Sequence, residues 1–168
     1  MIPAAVYWLL VAELVAVAWG DIRTRRIPNS WSILNLVLFV VVLFVWPDHY
    51  QLSLGVFLYS AAFLVVGFGL FLLRIMGAGD TKFLVTFFLL VPVSVQAQAL
   101  TALLLSTLLI GGFLFFTNLA RHHERIVASL KTGYIKGIKE CFGTKFSFAP
   151  VILLAWLWLG WNVGQMRF

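Results

Sequence analysis

Leu52-Ser53-Leu54-Gly55-Val56-Phe57-Leu58-Tyr59-Ser60-Ala61-Ala62-Phe63-Leu64-Val65-Val66-Gly67-Phe68-Gly69-Leu70-Phe71-Leu72-Leu73 runs for 22 residues without a charge. Wound as a helix at about 1.5 Å per residue, it spans the roughly 30 Å of hydrocarbon in a bilayer. The rest of the chain has the same character. Of 168 residues, 62% are hydrophobic and 11% charged, and the mean hydropathy is +1.03. An average globular domain holds about 45–50% apolar and about 25% charged residues. Twelve basic and six acidic side chains cannot wet a sphere of this size. A soluble single domain and a disordered chain are both excluded. A single cysteine, Cys141, leaves no internal disulfide and no four-thiolate zinc site.

Six apolar stretches are long enough, or nearly so, to cross the bilayer as helix: about 3–20, 31–46, 52–73, 82–96, 98–118 and 147–163. They predict an all-α polytopic membrane protein with six transmembrane helices in one domain over 1–168. The second and fourth are short, which suits little tilt or local thinning of the bilayer. Pro92 lies inside the fourth and is expected to kink it or end it early. Ala16-Val17-Ala18 looks like a signal-peptide cleavage site. No Lys or Arg precedes the first apolar run, however, and Glu13 interrupts it, so a retained helix is expected.

The basic residues orient these spans. Arg23, Arg25 and Arg26 follow span one, and Arg74 and Lys82 flank the turn after span three. Arg121, Arg125, Lys131, Lys136, Lys139 and Lys145 follow span five, and only Arg167 falls elsewhere. The segments after spans two and four, around Pro47-Asp48-His49-Tyr50 and Val93-Ser94-Val95-Gln96, carry none. The positive-inside rule then places loops at about 21–30, 74–81 and 119–146 in the cytoplasm and both termini on the other side. The net charge of +6 is accordingly a topology signal, with membrane lipid as the partner and no nucleic acid.

Two of the six acids sit where a helix meets a cytoplasmic turn. Asp21 ends span one in Trp19-Gly20-Asp21-Ile22-Arg23, and Asp80 opens span four in Gly77-Ala78-Gly79-Asp80-Thr81-Lys82. They are expected at the same depth on the same face. Two close carboxyls cannot both ionise easily, so they share a proton, and one serves as base while the other serves as acid. Such a pair activates water and polarises a carbonyl. Each aspartate alone would suit a helix cap or an arginine partner equally well. Gly77 and Gly79 beside Asp80 let backbone come close to a peptide or a second helix.

The chain resembles the type IV prepilin leader peptidases, integral-membrane aspartic proteases of the G-x-G-D kind. The resemblance rests on Asp21-Ile22-Arg23-Thr24-Arg25-Arg26-Ile27-Pro28-Asn29 and Met76-Gly77-Ala78-Gly79-Asp80-Thr81-Lys82. Phe146-Ser147-Phe148-Ala149-Pro150 carries it more loosely. It implies Asp21 and Asp80 as the catalytic pair. The implied activity is removal of a short basic leader from prepilin-like precursors, at the cytoplasmic face of the bacterial inner membrane. No cofactor and no metal are implied. Larger members add paired C-x-x-C motifs and N-methylate the trimmed pilin; here the first span begins at the third residue and Cys141 stands alone. A peptidase-only form is therefore expected, as in the branch serving tight-adherence (Flp) pili.

Helix polarity suggests a division of labour. Asp21 lies at a helix C-terminus, where the macrodipole disfavours an anion. Asp80 lies at an N-terminus, where orphan N–H groups favour one, and Lys82 adds to that. Asp80 is thus expected to be the ionised base and Asp21 its protonated partner, although the three arginines after Asp21 pull the other way. The two titrations are coupled.

Other residues carry weaker signals. Glu13 is the one acid in mid-membrane, expected either to meet a polar group such as Asn35 or to tune the aspartates. Pro28-Asn29 starts span two, with Asn29 or Ser30 as a cap. Arg26 belongs to the charged turn after Asp21 and is a topology determinant first. Lys82 can snorkel beside Asp80. His122-His123-Glu124 lacks metal-ligand spacing. Ile126, Leu130, Tyr134 and Ile138 recur every fourth residue among lysines, as in an amphipathic helix on an anionic surface. The rival function is a non-enzymatic transporter or pilus-assembly scaffold with the aspartates as a proton relay. It would favour several ionisable residues deep in the spans, and only Glu13 qualifies.

Overall fold

Prolines stand just before three helix starts, where a missing N–H removes no helical hydrogen bond. Pro3 precedes α1 (Ala4–Thr24), Pro28 precedes α2 (Asn29–Val45), and Pro92 precedes the long α5 (Val93–Thr132). Between them lie α3 (Leu54–Leu72) and α4 (Ala78–Leu89), and α6 (Ala149–Gly164) completes the bundle. This computed structural model describes residues 2–73, 75–132 and 147–164, all helix or connecting turn with no strand among them.

Three of these helices, Ala4–Thr24, Leu54–Leu72 and the Val93–Arg121 part of α5, are long and apolar enough to cross a membrane. Asn29–Val45 and Ala149–Asn162 are apolar but shorter. The outer surface is itself apolar: Leu54, Phe44 and Trp161 are exposed. A water-soluble bundle would put such side chains inside.

By close backbone approach, α1 pairs with α6 and α6 with α5, whereas α4 pairs with α2 and α3; α3 and α5 touch lightly. Trp156 of α6 links the two groups. It stacks on Tyr7 at 5.5 Å, donates from Nε1 to the Tyr7 carbonyl at 3.3 Å, and meets Phe87 of α4 edge-on at 5.3 Å.

The expected spans four and five need correction. Helix α4 covers 12 residues, about 18 Å, from Ala78 to Leu89, not 82–96. The helix ends before Pro92, the second of the two expected outcomes, and Val93–Gln96, expected as an outer loop, form the first turn of α5. Carbonyls at this break are met inside the protein. Buried Gln96 donates from Nε2 to Phe88 O at 3.2 Å and Val91 O at 3.1 Å, and also reaches Val56 O of α3 at 3.3 Å. Tyr50 donates to Leu90 O at 2.8 Å.

The expected loops also shrink. α1 continues through Asp21 to Thr24, α2 begins at Asn29, and Lys82 lies within α4. Of the expected 119–146 loop, 119–132 is helix. Residues 133–146, with Lys136, Lys139, Cys141 and Lys145, lie outside the described residues, as do Arg74 and Arg167. The expected surface helix is therefore described only as far as Thr132, and Tyr134 and Ile138 lie beyond it.

Candidate active site

Asp21 sits in the last turn of α1. Arg25 ends that helix in the left-handed region (φ 52°), and its N–H closes back on Asp21 O at 2.7 Å. Thr24 Oγ1 donates to Gly20 O at 2.9 Å and to Arg26 O at 3.1 Å, which tightens the turn. The chain then dips inward at buried Ile27 before Pro28 opens α2.

That dip meets the first turn of α4. A Cβ on Gly79 would lie 2.6 Å from the Ile27 carbonyl oxygen, so only glycine admits this backbone-to-backbone approach. Gly77 serves a different neighbour. A Cβ there would lie 2.8 Å from Asp80 Oδ2, which folds back to accept the Gly77 N–H at 3.1 Å. Gly77 itself has an ordinary extended backbone (φ −76°). Gly79 is therefore needed for space and docks the Asp80 turn against the chain leaving Asp21, whereas a side chain at position 77 would press on the Asp80 carboxyl.

The two carboxyls have different surroundings. Asp21 is only 3% exposed, and two donors converge on its Oδ2: Ser147 Oγ at 2.6 Å and the Ala149 N–H at 3.1 Å. Ala149 is the first residue of α6, so Asp21 caps that helix and meets the positive end of its dipole. Such bonds favour the carboxylate. Asp80 is half-buried at the loop-side end of α4. Burial pushes its carboxyl up to about 6; the Gly77 N–H opposes the rise and the negative charge of Asp21 adds to it. Asp21 thus meets two donors, from Ser147 and Ala149, while Asp80 meets one N–H of its own turn, a pattern that the polarity of α1 and α4 alone does not describe.

The remaining expected residues are placed as follows. Lys82 is exposed and donates to Asn29 Oδ1 at 3.4 Å, bridging α4 and α2. Arg26 is exposed, and Arg23 lies over the Trp19 ring at 4.5 Å. Glu13 is buried and meets Asn35, as expected. The side chains of His122, His123 and Glu124 lie outside the described residues. Ser147 was missed as a site residue. Its signal was a hydroxyl placed three residues before Pro150 at a helix start, in the one motif that carried the resemblance only loosely.

The sequence model of the type IV leader peptidase family matches residues 8–116, which contain Asp21, Gly77, Gly79 and Asp80 but not Ser147. No curated protein and no solved structure gives a significant match to the chain.

Proposed function

The chain belongs to the type IV leader peptidase family, and from that premise we propose that it is a membrane aspartic endopeptidase. It removes the short basic leader from prepilin-like precursors, acting at the cytoplasmic face of the bacterial inner membrane. Six helices embed it there, with Asp21 and Asp80 at the cytoplasmic edge, and both termini face outward. Methylation of the product forms no part of the proposal. The observation that carries this reading is the asymmetric pair. Ser147 and Ala149 at the start of α6 hold the Asp21 carboxyl, burial raises the Asp80 carboxyl, and the turns that carry them dock at Gly79 and Ile27.

The chemistry follows from that asymmetry. Asp21 takes a proton from water while the water oxygen attacks the scissile carbonyl carbon. Asp80 gives its proton to the carbonyl oxygen, forming a gem-diol. In the second step Asp21 passes its proton to the leaving amide nitrogen. Asp80 recovers one from a diol hydroxyl as the C–N bond breaks. Both carboxyls end as they began. Both donors to Asp21 use Oδ2, so Oδ1 is the oxygen that receives the water proton.

Co-expression with a cognate pilin precursor tests the proposal. A leader-length mobility shift is expected, and it should vanish in Asp21→Asn and in Asp80→Asn. Cleavage that survives both substitutions, or no cleavage of any cognate precursor, would overturn it.

A further inference from the structure

The two aspartates stand on helices from different packing groups: α1 leans on α6, while α4 lies against α2 and α3. On the outer half of the molecule, α1 and α2 are parted by an apolar cavity of about 180 Å³, lined by Leu9, Leu10, Leu38, Val42 and Leu90.

A buried polar cluster lies between these groups of helices. Glu13, 6% exposed, lies eight residues before Asp21, about 12 Å deeper along α1. Thr86 lies six residues past Asp80, about 9 Å deeper along α4. Asn35 of α2, fully buried, stands between them. With its nitrogen toward Glu13, the Asn35 amide donates to the two carboxyl oxygens at 2.8 and 3.0 Å. In the opposite orientation its nitrogen donates to Thr86 Oγ1 at 3.4 Å. Thr86 is tied in turn to the first turns of α4, donating to Lys82 O at 3.1 Å and Phe83 O at 3.0 Å. The Asn35 amide thus lies within polar contact of Glu13 on α1 and of Thr86 on α4. Polar groups at this depth are expensive to bury, and a carboxyl most of all.

We propose that Glu13, Asn35 and Thr86 form a clamp that holds α1 in register with α4 and so sets the separation of Asp21 from Asp80. They are positioning residues: none touches the reacting atoms. The inference rests on the reading of Asp21 and Asp80 as the catalytic pair, so its test needs one arm that is independent of activity.

In the full chain with Cys141→Ser, spin labels go on cysteines introduced at exposed Ile22 and Ala78, and the distance between them is read by pulsed electron resonance. The parent should give a narrow distribution. Thr86→Val, which removes one hydroxyl at constant shape, should broaden or displace it, as should Asn35→Leu and Glu13→Leu. Glu13→Gln, which keeps a hydrogen-bonding partner for Asn35, should recover the narrow form. In unlabelled protein, the first three substitutions should lower kcat by up to about 100-fold, with KM changed less than about twofold. An unchanged distance in Thr86→Val and Asn35→Leu would overturn the clamp, whatever the activity. A changed distance with unchanged kcat would overturn its positioning role. If the parent cleaves nothing and the distances still respond, the clamp stands and the peptidase reading falls.

Discussion

Gly79→Ala is the sharpest single perturbation of this site. The added Cβ would meet the Ile27 carbonyl oxygen at 2.6 Å and the Ile27 carbonyl carbon and nitrogen at 3.5 Å, where ordinary contact begins at about 3.4 Å. The obstacle is backbone on both sides, so no side-chain rotation relieves it. About 0.8 Å of movement is required between the turn leaving Asp21 and the turn carrying Asp80. Overpacking of this kind costs about 1–3 kcal/mol of stability. A misplacement near 1 Å between catalytic groups costs about 100-fold in rate. The assay is the time course of leader removal from a purified precursor in detergent. The expected result is a kcat near one hundredth of the parent's with KM little altered, in protein that remains folded. Gly69→Ala is the control, because a Cβ there meets nothing within 4 Å. A Gly79→Ala enzyme that cleaves within twofold of the parent would refute the claim that this contact sets the geometry of the pair.

Burial keeps the Asp80 acid form up to about pH 6; because that form is the one that polarises the carbonyl, kcat/KM should fall about tenfold per pH unit above that point, and a profile flat from pH 5 to 8 would contradict it. Ser147→Ala removes a 2.6 Å bond to the Asp21 carboxylate. At about 1.5–3 kcal/mol for a bond to a charged group, kcat/KM should drop about ten- to hundred-fold, with Ser147→Thr close to the parent. Undiminished turnover in Ser147→Ala would show that α6 does not hold Asp21. Gln96→Leu strands buried carbonyls at the α4–α5 break. It should lower stability by about 1–3 kcal/mol, read as a fall in thermal unfolding temperature, without altering kcat.

The apolar runs told where helices are but not where they stop. The stretch 52–73 became Leu54–Leu72, because Ser53 and the turn beyond Leu73 sit at its own ends. Between 82 and 118 the hydropathy never falls far enough to mark a boundary, since Leu90 and Val91 are as apolar as the helix before them. The boundary there is made by a proline without an N–H and by Gln96, which turns inward to satisfy three carbonyls. A glutamine in a segment taken for an outer loop carries no such signal; it acquires that role only once Val56, 40 residues away, is beside it.

The aspartates show the same limit more sharply. Their positions, and the glycines that dock them, could be read from two short motifs, because the proximity those motifs need is built by the loops that carry them. The groups that surround them could not. Reasoning from each helix's own dipole assigned the anion to Asp80, and the Gly77 N–H does act in that direction. Yet the donors at Asp21 come from the start of α6, whose neighbouring hydroxyl and first N–H arrive from 126 and 128 residues along the chain. For Asp80 the largest influence is burial, made by helices that pack around it. A carboxyl's charge depends on every donor and every apolar wall within a few ångströms, and here the strongest came from outside the motif. It follows that exchanging these two environments would take more than exchanging local sequence. It would require moving the start of α6 from Asp21 to Asp80.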